Sequence, residues 1–365
     1  MLTLAARRVA RIGGAVRAPA ATALSRAGFA DDAAAADAAA FNPASGLVMP
    51  RKVAVIGAPV ASGQGLDGVD DGPQILREQD IRGKVTDLGW RFEDLGDIEP
   101  VRPSATDPAD TPPGHKARHA FAVGRSCERI AKAVKAAADD GSFVLTLGGD
   151  HSIAAGSLAG VLASRPEAGV VWVDAHADIN TPESSPSGNV HGMPVAFLMR
   201  LAKAASTPGF EWLAEGNELG VPALLPSRIV YVGLRQVDVG ERTLLRKLGI
   251  KAYDMHAVDK LGIARVMEEA LDHLAGKAGA RPLHLSFDID ACDPSIAAST
   301  GTTVKGGLNY RESHFICEEL ARSSLLSSMD LVEVNPRLGA AKEDGGKTAA
   351  MGVELVSSAL GLSVL

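Results

Sequence analysis

Cysteine is scarce in this chain, with Cys127, Cys292 and Cys317 the three among 365 residues. They are odd in number and scattered, so they form neither a paired metal-binding motif nor a disulfide framework. This composition fits a reducing, intracellular setting. We expect the three thiols to be packing residues.

Long apolar runs and excess positive charge are also missing. No uninterrupted apolar run reaches the roughly 18 residues that a membrane-spanning helix needs. The net charge of −7 argues against a general nucleic-acid binder. We therefore expect no membrane or nucleic-acid partner, and a hydrophobic content of 46% is ample for a folded core.

The N-terminal segment lacks acidic residues as far as Ala30. It contains five arginines: Arg7, Arg8, Arg11, Arg17 and Arg26. An arginine-rich, acid-free composition is typical of an organelle transit peptide, whereas the arginines interrupt the apolar stretch that a secretory signal needs. A disordered, alanine-rich tail is the alternative. We predict a mitochondrial transit peptide and linker over residues 1–45, without which the protein would be cytoplasmic, and a catalytic domain over 46–365.

The most informative stretch runs from Asp174 to Asp178, directly after the apolar run Gly169–Val173. Its Asp174, His176 and Asp178 are spaced two apart, and in extended chain that spacing places side chains on one face. Three polar groups at the end of a buried strand are costly without a partner. The pattern therefore predicts a divalent cation at this strand end.

Two further apolar runs end in the same way. His151 follows Phe143–Thr146, while Asp288 and Asp290 close the run that begins at Leu283. Strands and helices alternate along the chain, which predicts one α/β domain with a parallel sheet and helices on both faces. Ligands bind at the carboxyl ends of strands in such sheets, so we expect these segments to meet at one edge.

Local patterns also predict the bounds of several elements. The segment Val85–Ile98 is expected to hold a strand, and Pro194–Ala205 a helix. A helix is also expected over Val258–Leu274.

Five motifs in a fixed order carry a resemblance to a known family. They are GGDHS at 148–152, DAHADIN at 174–180, SGNVHG at 187–192, SFDIDACDPS at 286–295 and EVNP at 333–336. Together they resemble the ureohydrolase family, and within it the arginases most closely. The resemblance covers the chain from about Val53 to its C-terminus.

The resemblance implies a single α/β domain with two Mn²⁺ ions per subunit at the carboxyl edge of the sheet. Carried over motif by motif, the metal ligands are His151, Asp174, His176, Asp178, Asp288 and Asp290. Asp174 and Asp288 would bridge the two ions. Four carboxylates offset two divalent cations, and a ligand set without thiolate suits Mn²⁺ better than structural Zn²⁺, with Fe²⁺ and Co²⁺ as alternatives.

The reaction implied is the hydrolysis of L-arginine to L-ornithine and urea, in which a metal-bridging hydroxide attacks the guanidinium carbon. Asp178 would hold the proton of the hydroxide and pass it to the leaving amine. Glu333 would grip the guanidinium group, with Thr302 nearby. His191 resembles the proton shuttle of the family, although a loop histidine without a role is the alternative interpretation.

Two segments would select the substrate. In the loop from Asn180 to His191, the resemblance places Asn180, Ser185 and Ser187 at the α-carboxylate. Asp238 and Glu241 match positions that face the α-ammonium group, although Glu241 also suits a first helical turn. Gln236 and Val239 replace an acidic residue and a proline that the resemblance predicts, so the shape of this second segment is in question.

Other functions stay open on the sequence alone. An agmatinase or another guanidino-compound hydrolase would share the metal ligands, but agmatine has no carboxylate for the Asn180–His191 loop to bind. A non-catalytic regulator or a metal-dependent deacetylase of related fold are further alternatives. Arginases are typically trimers or hexamers, so we expect a homo-oligomer. The sequence stops at Leu365 without the extended tail of animal arginases, which leaves the form of the oligomer open.

Overall fold

The computed structural model describes residues 40–41, 48–49, 52–104, 116–275, 281–341 and 343–363. The predicted transit peptide and linker, residues 1–45, lie almost wholly outside the described residues. No helix in these ranges is long and apolar enough to cross a membrane.

Eight strands form one all-parallel sheet, in the order β4-β3-β5-β10-β9-β6-β7-β8. A separate antiparallel pair joins β1 (Ala40–Phe41) to β2 (Val48–Met49). The strands of the large sheet are β3 (Lys52–Ala58), β4 (Arg91–Asp97), β5 (Phe143–Gly148), β6 (Gly169–Val173), β7 (Ile229–Leu234), β8 (Lys251–Asp254), β9 (Leu283–Asp288) and β10 (Leu326–Val332).

The helices follow and precede these strands as the alternation predicts. They are α1 (Gly72–Glu78), α2 (Ile81–Asp87), α3 (Ala120–Asp139), α4 (Ala154–Ser164), α5 (Pro194–Leu198), α6 (Val239–Leu248), α7 (Met255–Leu261), α8 (Ile263–Ala275), α9 (Tyr310–Ser323) and α10 (Asp344–Ala359). The predicted α/β fold with a parallel sheet is therefore confirmed.

Apolar side chains cover both faces of the sheet. Along β6, Val170 and Trp172 pack into one buried cluster, while Val171 and Val173 pack into the other. This alternation follows from the period of two in a strand. Because both faces are covered, the central strands read as continuous apolar runs, which is typical of parallel sheets.

The strand order brings distant parts of the sequence together. Strands β5 and β6 are consecutive in the chain but are separated in the sheet by β10 and β9. Ligands bind in open α/β sheets where the strand order changes in this way. The segments that follow β5, β10, β9 and β6 therefore share one edge of the sheet.

Local turns shift several of the predicted bounds. The predicted strand within Val85–Ile98 is present as β4, but the start of that segment belongs to α2, whose first turn is capped by Asp80 accepting from Gly83 N–H at 3.1 Å. The helix predicted over Val258–Leu274 is two helices, because Gly262, with φ of 78°, separates α7 from α8.

The helix predicted from Pro194 to Ala205 is much shorter than expected. It ends at Leu198, and Arg200 then adopts a left-handed conformation with φ of 61°. The Arg200 guanidinium donates to the carbonyl oxygens of Leu213 and Val221. These long-range hydrogen bonds stabilise the turn, and no local pattern in the sequence predicts them.

Candidate metal centre and substrate cavity

The segment after β6 bends sharply instead of continuing as extended chain. Strand β6 ends at Val173, residues 174–176 form a bend, and Asp178 has a φ of 49°. The bend is closed by Asp174 Oδ1, which accepts from His176 N–H at 2.7 Å. The three side chains converge as expected. The prediction that they do so as alternate residues of an extended strand is wrong, because the bend brings them together.

His151 lies at the centre of a buried group of carboxylates. Its Nδ1 atom is 3.1 Å from an oxygen of Asp174, 3.1 Å from Asp178 and 3.2 Å from Asp288. Despite these short distances, Nδ1 has no well-formed hydrogen-bond partner. The three carboxylates and the imidazole nitrogen therefore point at one another around a common centre.

A second group shares Asp174 with the first. His176 Nδ1 lies 3.3 Å from Asp174 Oδ1 and 3.1 Å from Asp290 Oδ2. Potential ligand atoms of Asp174, His176 and Asp290 fall within 4.8 Å of one another, as do those of His151, Asp174 and Asp178. The structure thus brings all six predicted ligands into two adjoining groups.

Neighbouring side chains fix the orientation of both imidazoles. His151 Nε2 is 2.9 Å from Ser286 Oγ, and its ring stacks on Trp172 with centroids 4.3 Å apart. Trp172 Nε1 donates to Asp174 Oδ2 at 2.9 Å. His176 Nε2 lies 3.2 Å from Gln236 Oε1. Partners of this kind orient metal-binding histidines and set their tautomer.

The crowded carboxylates are strongly perturbed. Burial and the charge of Asp174 raise the pKa of Asp178 to about 6. Burial and neighbouring carboxylates also raise the pKa values of Asp288 and Asp290. Burial opposes ionisation of Asp174 as well, but the nearby imidazoles of His151 and His176 hold its pKa well below the usual range.

The donor chemistry fits two divalent cations. Four carboxylates and two imidazoles converge there, and the buried His151 Nδ1 has no hydrogen-bond partner. Oxygen and imidazole ligands without thiolate suit Mn²⁺ and similar ions. Cys127, Cys292 and Cys317 are buried free thiols, and none of them belongs to either ligand group.

A cavity of about 180 Å³ opens onto this cluster. The predicted substrate-binding residues that line it are Asn180, Ser185, Ser187, Asp238, Glu241 and Thr302. Asp178 and His191, both predicted to be catalytic, line it too. Thr302 Oγ1 also donates to Asp290 Oδ2 at 2.7 Å, so it supports a candidate ligand as well as facing the cavity.

Hydrogen bonds within the Asn180–His191 loop leave donors for a ligand. Asn180 Nδ2 donates to Asp238 Oδ2 at 2.9 Å, and its carbonyl oxygen accepts from Ser184 Oγ. Ser185 and Ser187 each accept a backbone N–H, at 2.9 Å and 3.2 Å. The hydroxyl protons and the second amide proton of Asn180 remain available to an anion.

Glu241 has the structural role that its position in the first turn suggests. Its Oε2 accepts from Asp238 N–H at 3.0 Å, which forms a capping box, and its Oε1 accepts from Ile179 N–H at 3.1 Å. Burial raises the pKa of this carboxyl to about 7. Glu241 therefore ties helix α6 to the segment that carries Asp178 while it also lines the cavity.

Glu333 lies just beyond β10 in a left-handed conformation with φ of 63°. It is buried, and it is not among the residues that line the cavity. Its Oε1 accepts from His151 N–H at 2.8 Å and lies 3.2 Å from His191 Nδ1, while its Oε2 has no partner. Burial opposes protonation of His191, but Glu333 outweighs it and raises the pKa of this imidazole to about 9.

Several residues of this region were not predicted from the sequence. Ser184 and Asn189 belong to the substrate loop, and Ser286 and Trp172 support the imidazole and a carboxylate. Trp172 lies two residues before Asp174, so strand periodicity could have suggested a shared face. The Ser286–His151 pair joins residues far apart in the sequence, so only the fold brings it to light.

The chain is similar to proteins of one family over most of its length. A sequence model described as the arginase family matches residues 51–361. The arginase of Glaciozyma antarctica is 43% identical over 321 residues, covering 87% of this chain and 90% of the relative. The mitochondrial arginase-2 of Homo sapiens is 44% identical over 315 residues, which is 85% of each chain.

Solved structures agree with the sequence relatives. The arginase from Bacillus caldovelox superposes with a TM-score of 0.76 at 39% identity, covering 86% of this chain and 99% of its own. A hypothetical agmatinase from Burkholderia thailandensis reaches a TM-score of 0.61 at 23% identity, covering 85% of this chain and 84% of its own. The second similarity shows the fold alone.

Proposed function

This chain belongs to the arginase family, and from that premise we propose how its residues hydrolyse the guanidino group of L-arginine to yield L-ornithine and urea. One observation carries the proposal. A cavity lined by residues of the Asn180–His191 loop opens directly onto two adjoining groups of potential metal ligands. The cavity could therefore hold the amino-acid end of the substrate at the loop and its guanidino group beside the ligand groups.

Two Mn²⁺ ions would bind to the two groups of ligands. His151 and Asp178 would help to hold one ion, and His176 and Asp290 the other. Asp174 and Asp288 would contribute to both sites, and the closeness of Asp174 to both histidines supports this for Asp174. Bound divalent cations would lower the pKa of water and offset the negative charge that develops on the reacting group.

The amino-acid end of the substrate would lie against the loop and the start of α6. Asn180, Ser185 and Ser187 offer free N–H and O–H donors to the α-carboxylate, and several neutral donors together can hold such a group. Asp238 and Glu241 also line the cavity, and their carboxylates would face the α-ammonium group.

The guanidinium end would meet acceptors near the metal ligands. Glu333 has a buried, unpartnered Oε2 that can accept from a guanidinium N–H in a charge-assisted pair. Thr302 lines the adjoining wall. Asp178 would take the proton of the attacking water and deliver it to the leaving amine, and His191, in contact with Glu333, would exchange protons with solvent.

Substrate choice is the sharpest test of this function. Full-length protein supplied with Mn²⁺ is assayed for urea with L-arginine and with agmatine in parallel. We expect urea from L-arginine, because agmatine offers nothing to the Asn180–His191 loop. Urea mainly from agmatine would support the alternative guanidino hydrolase, and urea from neither would refute the hydrolytic role.

Two features of the whole protein belong to the same proposal. We propose a mitochondrial enzyme whose residues 1–45 form a transit peptide and linker and whose residues 46–365 form the catalytic domain. N-terminal sequencing of protein purified from the organelle should start beyond the arginine-rich segment, and a start at Met1 would contradict import with cleavage.

The proposed assembly is a homo-oligomer, either a trimer or a hexamer. Light scattering on the eluting peak of a size-exclusion column gives the mass directly. A mass near three or six times the 37.7 kDa of the full chain, less any cleaved segment, is expected, whereas a monomer would contradict this part of the proposal.

A further inference from the structure

Gln236, which contacts His176, has a neutral amide side chain at a position where the resemblance predicts an acidic residue. Gln236 Oε1 lies 3.2 Å from His176 Nε2, on the side of the ring opposite Asp174 and Asp290. Gln236 is exposed and lines the cavity. Its side chain therefore contacts a candidate metal ligand without being a ligand itself.

This contact decides which imidazole nitrogen is free. A histidine that binds a metal through Nδ1 must carry its proton on Nε2, and an acceptor beside Nε2 favours that tautomer. Gln236 Oε1 is such an acceptor. With the proton held on Nε2, the lone pair of Nδ1 points at Asp174 and Asp290, where the second ion would lie.

The other candidate histidine is also backed by a neutral group. His151 Nε2 lies 2.9 Å from the hydroxyl oxygen of Ser286. Neither imidazole therefore has a carboxylate behind it in the part of the chain that the structure describes. A carboxylate partner makes a ligating imidazole more basic than a neutral acceptor does.

The neighbours of Gln236 give its backbone a fixed position. Arg235 donates from its guanidinium to the carbonyl oxygens of Asp290 and Val304, and Asp238 accepts from Asn180. The turn from β7 to α6 is thus bonded to the segments of both ligand groups. The backbone at Gln236 therefore cannot move away from His176 without breaking other contacts of this turn.

We propose that Gln236 is a positioning residue that sets the tautomer of His176 and, by being neutral, limits the affinity of the second metal ion. The inference rests on the proposed binuclear centre. It implies that restoring a negative charge at position 236 tightens the binding of that ion, whereas removing the acceptor weakens it.

The test measures metal binding and not turnover. Full-length wild-type protein and the variants Gln236→Glu and Gln236→Leu are titrated with Mn²⁺. Unbound ion is followed by its EPR signal, and bound ion by elemental analysis after dialysis. Loss of a side chain that orients a metal-binding histidine typically costs about 10- to 100-fold in affinity. We therefore expect Gln236→Leu to raise the dissociation constant of the second Mn²⁺ ion about 10-fold. Gln236→Glu should lower that constant several-fold.

A matched control separates position from net charge. Gln74→Glu makes the same chemical change at an exposed residue on α1, away from the cavity, and should leave both dissociation constants unchanged. A Gln74→Glu variant that tightens binding as much as Gln236→Glu would overturn the inference.

The outcomes distinguish this inference from the proposed function beneath it. Wild-type protein that binds fewer than two Mn²⁺ ions at saturation would refute the binuclear centre. Wild-type protein that binds two, together with Gln236 variants whose second constant is unchanged, would leave the centre standing and overturn the role of Gln236.

Discussion

Trp172 supports the candidate metal centre in two ways at once. Its ring stacks on His151, and its Nε1 donates to Asp174 Oδ2, the carboxylate shared by both ligand groups. The hydrogen bond and the stacking can be separated by mutation, because phenylalanine keeps an aromatic face but has no N–H.

We expect Trp172→Phe to weaken Mn²⁺ binding about 10-fold, because an outer-shell hydrogen bond to a ligand is lost. Mn²⁺ titration of purified protein measures the change. Trp90→Phe is the control, since Trp90 donates to the carbonyl oxygen of Leu360 away from the site. Equal effects of the two variants would show that a general loss of packing is responsible.

The proposed role of His191 in proton transfer does not require it to bind metal. It contacts Glu333 and lines the cavity, but it belongs to neither ligand group. We expect His191→Asn to lower turnover about 100-fold, within the range of general acid–base catalysis, with the same Mn²⁺ content. Steady-state urea release and elemental analysis are the measurements, and unchanged turnover would remove His191 from the mechanism.

Among the elements of the fold, the turn from β7 to α6 is bonded to two loops, those that follow β6 and β9. The Arg235 guanidinium donates to carbonyl oxygens of Gly233, Asp290, Ala291, Cys292 and Val304. Burial lowers its pKa, although nearby Asp290 and Asp174 act in the opposite direction. One side chain therefore holds the loop after β9 in the conformation that places Asp290 and Thr302.

Arg235→Met should destabilise the fold and loosen this loop together. Several carbonyl oxygens lose a charged donor, and each such loss costs about 1–3 kcal/mol when the oxygen stays buried. We expect thermal unfolding several degrees below that of wild type, with weaker Mn²⁺ binding. Arg242→Met, a change at an exposed arginine of α6, is the control. A variant with wild-type stability would show that the loop holds its shape unaided.

Sequence patterns predicted elements well where the signal was local and long. The apolar runs of β5, β6 and β9 are such signals, and the strand ends they mark carry all six candidate ligands. The break at Gly262 and the early end of α5 were missed because a single glycine or a distant carbonyl decides them.

In the candidate site, too, local sequence signals were predictive and long-range contacts were not. Its ligand-type residues were visible as motifs, whereas the bend at Asp174–Asp178 and the contacts of Trp172, Ser286 and Gln236 were not. Except for the Trp172–Asp174 pair, which a shared strand face could suggest, those contacts join residues on different strands and loops, so periodicity holds no information about them. Glu333 was identified by resemblance, but its burial, its left-handed backbone and its bond from His151 N–H are visible only in the structure.

At the scale of the whole molecule, the packing of α9 against α10 should make stability depend on pH. His314 Nδ1 is 2.9 Å from Ser358 Oγ, while its Nε2 is buried without a partner. Burial lowers the pKa of His314, outweighing the opposite effect of Glu354 and Glu318. The unfolded chain therefore binds this proton more tightly, so the stability that neutral His314 contributes is present above about pH 6.5 and is lost below it.

His314→Asn removes this titration. The variant should lose less thermal stability than wild type when the pH is lowered from 7.5 to 5.5, even where its stability at pH 7.5 is lower. Melting temperatures at the two pH values, at one Mn²⁺ concentration, give the comparison. Equal losses in both proteins would assign the acid sensitivity to other groups.

The central position of β10 affects when the sheet can be completed during synthesis of the chain. The strand that joins β5 to β9 spans Leu326–Val332 and is the last of the sheet to leave the ribosome. Until it emerges, β5 and β9 lack their common neighbour, and His151 lacks the carboxylate of Glu333. Contacts between such distant segments form late, after the long loops between them have closed. Neither the centre of the sheet nor the edge that carries the candidate ligands can therefore be completed before β10 emerges near the end of synthesis, and a chain that stops before residue 326 lacks both.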